Sequence, residues 1–278
     1  MKHKLLGLML PLAGVAGLQA ATQPTMQDYT QYVNPFVGTG GHGHVFLGAN
    51  VPFGHIQAGP TQKKQGWDWC SGYHYSDSII IGFGQMHLSG TGIGDLGDIA
   101  LLPVTKNNER EVKFSHKAEY ATPGYYAVTL ANGVRVELTA TPRTAFHRYT
   151  FPADVKQEQV VLDLSQGIGW DKMTACSMKQ EGQNTVVGTR FSTGWAKDQR
   201  VFFVAEFSQP ITHQVMEGDT LSVLSFQPTG QPLMVKVGIS SVSIENARKN
   251  LQQESPNWNF NIVVADAQTA WNKEMGKI

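Results

Sequence analysis

The residues best suited to chemistry crowd into one glycine-rich segment. Between Gly38 and Gly97 lie 15 of the 29 glycines, five of the nine histidines and two of the six tryptophans. Glycine permits backbone conformations and close ligand approach that other residues forbid, and functional side chains concentrate on loops. The segment therefore predicts a binding surface, although tight turns between edge strands would account for some of these glycines.

The first candidate site is the run Trp67–His74, which places two indoles around the carboxylate of Asp68. Sugars present apolar ring faces and hydroxyl edges, and an indole beside a hydroxyl acceptor matches both. Paired tryptophans are also common in hydrophobic cores, so that alternative stays open. The sequence does not say which of Trp67 and Trp69 would face a ligand.

The second candidate site, His87–Asp98, combines a histidine with Asp95 and Asp98 in a glycine-rich loop. These side chains could ligate a metal, and two carboxylates could act as acid and base in glycosidic hydrolysis. However, no neighbouring His or Cys completes a standard zinc signature, and acidic residues in such loops commonly cap turns. We therefore assign no catalytic residue and no metal ligand to this chain.

Histidines are also dense in the run Gly40–His44. It differs from a phosphate-binding loop because the strand, Lys and Ser/Thr of that motif are missing. A different class of function, an autonomous metal hydrolase, would use the histidines of the whole segment. Its ligands would be His42, His44, His74 and His87.

Charge and the N-terminal sequence limit the partners and the compartment. The chain carries 22 Lys+Arg and 22 Asp+Glu, so no global field favours nucleic acid or an anionic membrane.

Residues Met1–Ala20 have the basic start, the apolar run and the small residues before the cleavage site that are typical of a secretory signal, with cleavage expected after Ala20. The run is shorter than the ~20 residues of a spanning helix, and no later segment is long enough. We expect a periplasmic or secreted protein without a membrane span.

Only two cysteines occur, Cys70 and Cys176. In an exported protein they could form one disulfide or remain separate thiols. The sequence leaves both states open, and Cys70 could equally be a packed thiol in a ligand pocket.

The segments that must position these residues have sequence patterns typical of β-strands. From about Gly97 onward, short apolar or alternating runs are separated by turn residues, and Asn132-Gly133 predicts a hairpin over Tyr125–Leu138. Few helix-length patterns intervene, which favours an all-β, antiparallel β-sandwich over a βαβ sheet. The predicted strands are Ile99–Val104, Tyr125–Leu130, Val134–Leu138, Phe146–Phe151, Val160–Leu164, Val201–Phe207, Leu221–Phe226 and Leu233–Ile239.

Two short helices are predicted at the C-terminal end. Ser243 can cap a helix that ends by Gln253, ahead of Pro256, and a second helical pattern starts at about Val264. The second helix could dock on the sandwich or form the start of a linker to a further domain.

The same motifs resemble a known family in order and spacing. They are Val33–His44, Val51–Gly54, Trp67–Asp77, His87–Asp98, Pro123–Tyr126, Glu137–Thr141, His147–Pro152 and Lys236–Ser243. Together they are similar to the N-terminal domain of glycoside hydrolase family 92. Gly84–Met86 and His55 depart from the family pattern, which leaves the polar role of the segment before His87 and the linkage preference open.

The resemblance implies an exo-acting, inverting α-mannosidase that depends on calcium. It implies an N-terminal galactose-mutarotase-like supersandwich, here 21–255, and a C-terminal (α/α)6 barrel, with the start of the interdomain linker helix at 256–278. The acid, the base and the Ca2+ ligands would belong mainly to the barrel, which this chain does not include. We therefore expect the chain alone to be inactive.

By the same resemblance, the sandwich contributes part of a pocket for a mannose-containing glycan. We place this share on Trp67, Asp68, Trp69, Cys70 and His87. The alternative is a stand-alone carbohydrate-binding module, which would bind its ligand without turnover.

Overall fold

The computed structural model describes residues 27–277, and the expected signal segment lies outside them. Residues 27–277 contain fifteen strands and two α-helices, joined by turns and loops. The strands are β1 (Gly59–Thr61), β2 (Ile79–Ile80), β3 (Gly82–Gly84), β4 (Ala100–Val104), β5 (Val112–Thr122), β6 (Tyr125–Leu130), β7 (Arg135–Ala140), β8 (Thr144–Thr150), β9 (Glu158–Asp163), β10 (Lys172–Glu181), β11 (Thr185–Thr193), β12 (Gln199–Phe207), β13 (Ile211–Glu217), β14 (Leu221–Phe226) and β15 (Leu233–Ser240), and the helices are α1 (Ile244–Glu254) and α2 (Phe260–Met275).

The strands form two antiparallel sheets. One has six strands in the order β1-β3-β4-β9-β14-β13, and the other has nine in the order β10-β11-β12-β15-β8-β7-β6-β5-β2. A single large cluster of buried apolar side chains draws on strands of both sheets, including Leu101 and Leu162 from the first and Tyr126 and Phe203 from the second. The predicted all-β sandwich is confirmed.

The β6–β7 hairpin shows local sequence setting the register. Thr129 pairs with Arg135, and Gly133 has φ +85°, a left-handed value that glycine adopts without steric cost. The predicted hairpin is confirmed.

Both helices pack on the larger sheet. Ser243 caps α1 by accepting a hydrogen bond from Asn246 N at 3.1 Å, as predicted. Helix α2 begins at Phe260, earlier than predicted, because Phe260 is buried against Phe146 and Asn259 caps the first turn. The far end of α2 is anchored too, since the Trp271 indole donates to Asn50 O at 2.8 Å. The helix is therefore docked on the sandwich, and its role as a linker stays a prediction.

A buried ion cluster ties β11 to the loops. Arg190 is fully buried, donates from Nη1 to Asp98 Oδ1 at 2.7 Å, and also pairs with Asp171. Its Nε donates to Leu164 O at 2.9 Å, just beyond β9. Burial raises the pKa of Asp98 to about 6, and the charge of Arg190 opposes this rise.

We predict that Arg190→Met destabilises the chain strongly. Removing the guanidinium leaves Asp98 and Asp171 buried without a counter-charge, a change that costs about 3 to 5 kcal/mol in typical buried pairs. The matched control is Arg200→Met on β12, whose pair with Asp198 is exposed. Chemical denaturation of both variants measures the free energy of unfolding. Equal, small effects would contradict the structural role of Arg190.

Candidate functional site

Three loops of the glycine-rich segment meet in space: the HGH loop (residues 40–46), the tryptophan loop (residues 66–72) and the glycine loop (residues 87–98). Gly90 N donates to His44 O at 2.7 Å, and the Trp67 indole donates to Gly92 O at 2.8 Å. Phe46 N also donates to Ser89 Oγ at 3.2 Å. The glycine loop therefore joins the other two into one continuous surface.

The two tryptophans of the tryptophan loop have different surroundings. Residues Trp67–Trp69 form a 3-10 turn, in which successive side chains point in different directions. Residue Trp67 is 61% exposed. Trp69 is half-buried, stacks on His74 with ring centroids 4.3 Å apart, and donates to Asp77 Oδ2 at 3.1 Å. Trp67 offers an open indole face, whereas Trp69 anchors the loop.

Asp68 lies between two histidines. Its Oδ1 lies 2.7 Å from His42 Nδ1 and 2.9 Å from His44 Nε2. The hydrogen bonds from His42 and then His44 lower the pKa of Asp68, so it is a carboxylate at neutral pH. No hydrogen bond to its Oδ2 is found within residues 27–277, and the rings of both histidines also contact the Trp67 indole.

The two cysteines are unpaired. Cys70 is buried beneath the tryptophan turn, and Cys176 on β10 is also a free thiol. Burial raises the pKa of the Cys70 thiol, which keeps it protonated at neutral pH. Cys70 therefore contributes packing and not a nucleophile.

His87 is buried, with both ring nitrogens engaged. Nδ1 lies 2.8 Å from Gln57 O and Nε2 lies 3.0 Å from Thr61 Oγ1, while Phe46 stacks on the ring at 5.8 Å. His87 also lines a cavity of about 550 Å3, and Thr91 forms part of the same wall. Thr91 precedes Gly92, whose carbonyl oxygen accepts the hydrogen bond from the Trp67 indole. Neither ring nitrogen of His87 is therefore free for a ligand. Its contact with a glycan stays a prediction.

The two aspartates of the glycine loop are not a free acid–base pair. Asp95 is buried and accepts hydrogen bonds from the backbone N of Trp195 at 3.1 Å and of Ala196 at 3.3 Å. Asp98 is the buried partner of Arg190. Asp95 therefore caps a turn, as the sequence alternative suggested, and Asp98 forms an ion pair.

Two exposed indoles were not singled out from the sequence. Trp170 is 56% and Trp195 is 59% exposed, and both adjoin the glycine loop through backbone hydrogen bonds to Gly94 and Asp95. Each stands alone in a turn far along the chain, so no local motif marks it. Trp170 and Trp195 lie beside the glycine loop, to which Trp67 is also bonded, only because segments far apart in sequence pack together.

The donors present do not suit calcium. Ca2+ takes six to eight oxygen ligands. Among residues 27–277, the group of three or more possible metal ligands is His42, His44 and Asp68, which offers two nitrogens and one carboxylate. The cluster therefore does not suit Ca2+, and the Ca2+ expected in the barrel stays a prediction.

A β-sandwich with exposed indoles around one loop surface suits carbohydrate recognition. The glycosyl hydrolase family 92 N-terminal domain matches residues 32–240, and the chain belongs to this family. The predicted family is thereby confirmed.

Solved structures agree with this assignment. The family GH92 α-mannosidase BT3965 from Bacteroides thetaiotaomicron, in complex with mannoimidazole, is 32% identical with a TM-score of 0.84, covering 90% of this chain and 37% of that chain. The family GH92 inverting mannosidase BT2199 from the same species is 27% identical with a TM-score of 0.76, covering 92% and 37%. An "Uncharacterized secreted glycosidase" of Arthroderma benhamiae is 29% identical, covering 90% of this chain and 38% of its own length. The chain thus spans less than two-fifths of each relative.

None of the helices within residues 27–277 has the length and apolar character needed to cross a membrane.

We predict that His87 makes the chain less stable in acid. Burial lowers the pKa of His87 to about 4 from an ordinary 6.5. The unfolded state therefore takes up the proton first, so the stabilisation is complete above pH 6.5 and is lost as the pH falls towards 4, by up to about 3 kcal/mol. His87→Gln should flatten the slope of unfolding free energy against pH over this range.

The control is His213→Gln, which removes an exposed histidine from β13. The slope of its unfolding free energy against pH should match that of the parent chain. Burial also lowers the pKa of His147, to about 3. His147 is present in the parent and in both variants, so it contributes equally to every slope. Identical slopes for the parent and His87→Gln would contradict the prediction.

Proposed function

We propose that this chain forms part of the sugar pocket of an exo-acting, inverting α-mannosidase that cleaves mannose-containing glycans. The observation that carries the proposal is the exposed indole of Trp67 beside the carboxylate of Asp68, whose Oδ2 has no hydrogen bond within the described residues. The indole suits the apolar face of a pyranose, and the carboxylate suits its hydroxyls. Membership of family 92 and the mannosidase relatives support this ligand class.

Within this pocket the other predicted residues have supporting roles. Trp69 holds the tryptophan loop through His74 and Asp77, and Cys70 fills the space beneath it. His87 keeps the wall of the neighbouring cavity in place through Gln57 and Thr61.

The chemistry of bond cleavage would come from a C-terminal barrel. An inverting glycosidase needs two carboxyl groups about 6.5 to 9.5 Å apart on opposite sides of the sugar. Asp95 and Asp98 are buried in a turn cap and an ion pair, which is unsuited to that task. Export to the periplasm or the medium is part of the proposal, supported by the secreted relative and by residues 1–20.

We predict that the purified 278-residue chain does not hydrolyse aryl α-mannosides, with or without added Ca2+. The reason is that Asp95 and Asp98, the carboxyl pair considered for acid and base, are held in a turn cap and an ion pair, while the acid and base implied by the family resemblance would belong mainly to the barrel. The measurement is release of the aryl group, with a buffer blank as the control. Turnover that disappears in Asp95→Asn would show that the chain carries its own catalytic machinery.

We predict that Trp67→Ala weakens binding of α-linked mannobioses about 2- to 10-fold, the loss expected for one aromatic contact. Trp69→Ala should instead lower the melting temperature, because it removes the stack on His74 and the bond to Asp77. NMR titration of the indole N–H signals and thermal unfolding measure the two effects.

The control for exposure alone is Tyr120→Ala, an aromatic residue on β5 that is 58% exposed. It should change neither property. If Trp67→Ala unfolds easily while the folded fraction binds like the parent chain, Trp67 is a structural residue and the pocket lies elsewhere.

A further inference from the structure

Two of the histidines in the glycine-rich segment converge on one carboxylate. His42 Nδ1, His44 Nε2 and an oxygen of Asp68 all lie within 4.8 Å of one another. The neighbouring histidines are occupied elsewhere: His74 bonds to Ser76 and to Gly41 O, and His87 bonds to Gln57 and Thr61. The four-histidine arrangement considered from the sequence is therefore wrong, and a His-His-Asp cluster stands in its place.

The HGH loop holds the cluster in a backbone conformation of its own. A Cβ at Gly43 would lie 2.1 Å from Gly38 O, so only glycine fits between the two histidines. His44 has φ +56°, which is costly for a residue with a side chain. Its carbonyl accepts from Gly90 N at 2.7 Å, and its ring packs on Trp67 at 4.3 Å. These contacts maintain a strained conformation that aims the His44 ring at Asp68.

The spacing of the donors needs only a small adjustment for a metal. A tetrahedral ion with bonds of about 2.0 to 2.1 Å separates its ligand atoms by roughly 3.3 Å. The present separations from Asp68 Oδ1 are 2.7 Å to His42 and 2.9 Å to His44. The side chain of His42 is 79% exposed and can rotate outward, while His44 is 7% exposed and held. One fixed and one adjustable imidazole can therefore open to admit an ion.

We propose that His42, His44 and Asp68 form a three-ligand site for a divalent transition metal of the zinc class. Two imidazole nitrogens with one carboxylate suit Zn2+, whereas Ca2+ and Mg2+ require oxygen donors. Three protein ligands leave a fourth position open to water or to a ligand hydroxyl, next to the exposed Trp67. The site goes beyond the proposed glycan pocket; it shares Asp68 with that pocket, but metal binding is a separate property that is measured without a glycan.

The test is a titration of ZnCl2 into the untagged 278-residue chain after treatment with a chelator. We expect saturable binding of one equivalent in the parent chain. His42→Gln should weaken the affinity at least about tenfold, because loss of a direct ligand costs no less than loss of its outer-shell partner, typically 10- to 100-fold. His213→Gln is the control, because it removes an exposed histidine of β13 outside the cluster, and it should bind like the parent. CaCl2 should not compete.

Two further measurements separate a metal site from a structural cluster. Bound Co2+ should show the visible absorption of a tetrahedral N/O site in the parent chain, and Asp68→Asn should abolish it. The zinc titration is run without glycan and the mannobiose titration with a chelator, so failure of one proposal is distinguishable from failure of the other. Absence of one-equivalent Zn2+ binding in the parent, or equal affinity in a folded His42→Gln, overturns the site.

Discussion

The guanidinium of Arg190 lies fully buried between two carboxylates, and the glycine loop ends at one of them, Asp98. A buried charge needs its partners close and its hydrogen bonds satisfied. Here the partners come from the glycine loop and from Asp171, while Leu164 O accepts from Nε just after β9. The ion cluster thus fixes the end of the glycine loop relative to β11. Because Trp67 and His44 are bonded to that loop, the candidate surface depends on it too.

The density of glycine in this fold follows in part from the close packing of its loops. Loops cross so closely that side chains cannot fit: a Cβ at Gly94 would lie 2.7 Å from Gly169 Cα, and a Cβ at Gly169 would lie 2.5 Å from Gly94 Cα. This close packing is what assembles a surface from segments far apart in sequence.

The eight predicted strands are all present, but several strands were missed, among them the interior strand β11 and the edge strands β10 and β13. Strands β6 and β14 have the predicted bounds because most of their side chains are buried, so apolar residues mark each run. Strands β10 and β13 lie at sheet edges, and most of their side chains are exposed or half-buried. Without a buried face they have no apolar alternation, so no pattern marks them. Their place in the sheets follows from backbone pairing with β11 and β14.

For the site, the sequence by itself determined the family motifs, the sandwich class and the segment that carries the exposed chemistry. It could not distinguish Trp67 from Trp69, because two residues of one type share one local pattern. The fold separates them by burying part of Trp69 against His74 while Trp67, which packs on His44, stays largely exposed. Nor does sequence spacing bring Asp68 to His44, 24 residues earlier. Contacts between loops depend on how the whole chain packs, and so only the tertiary structure decided which of these side chains meet.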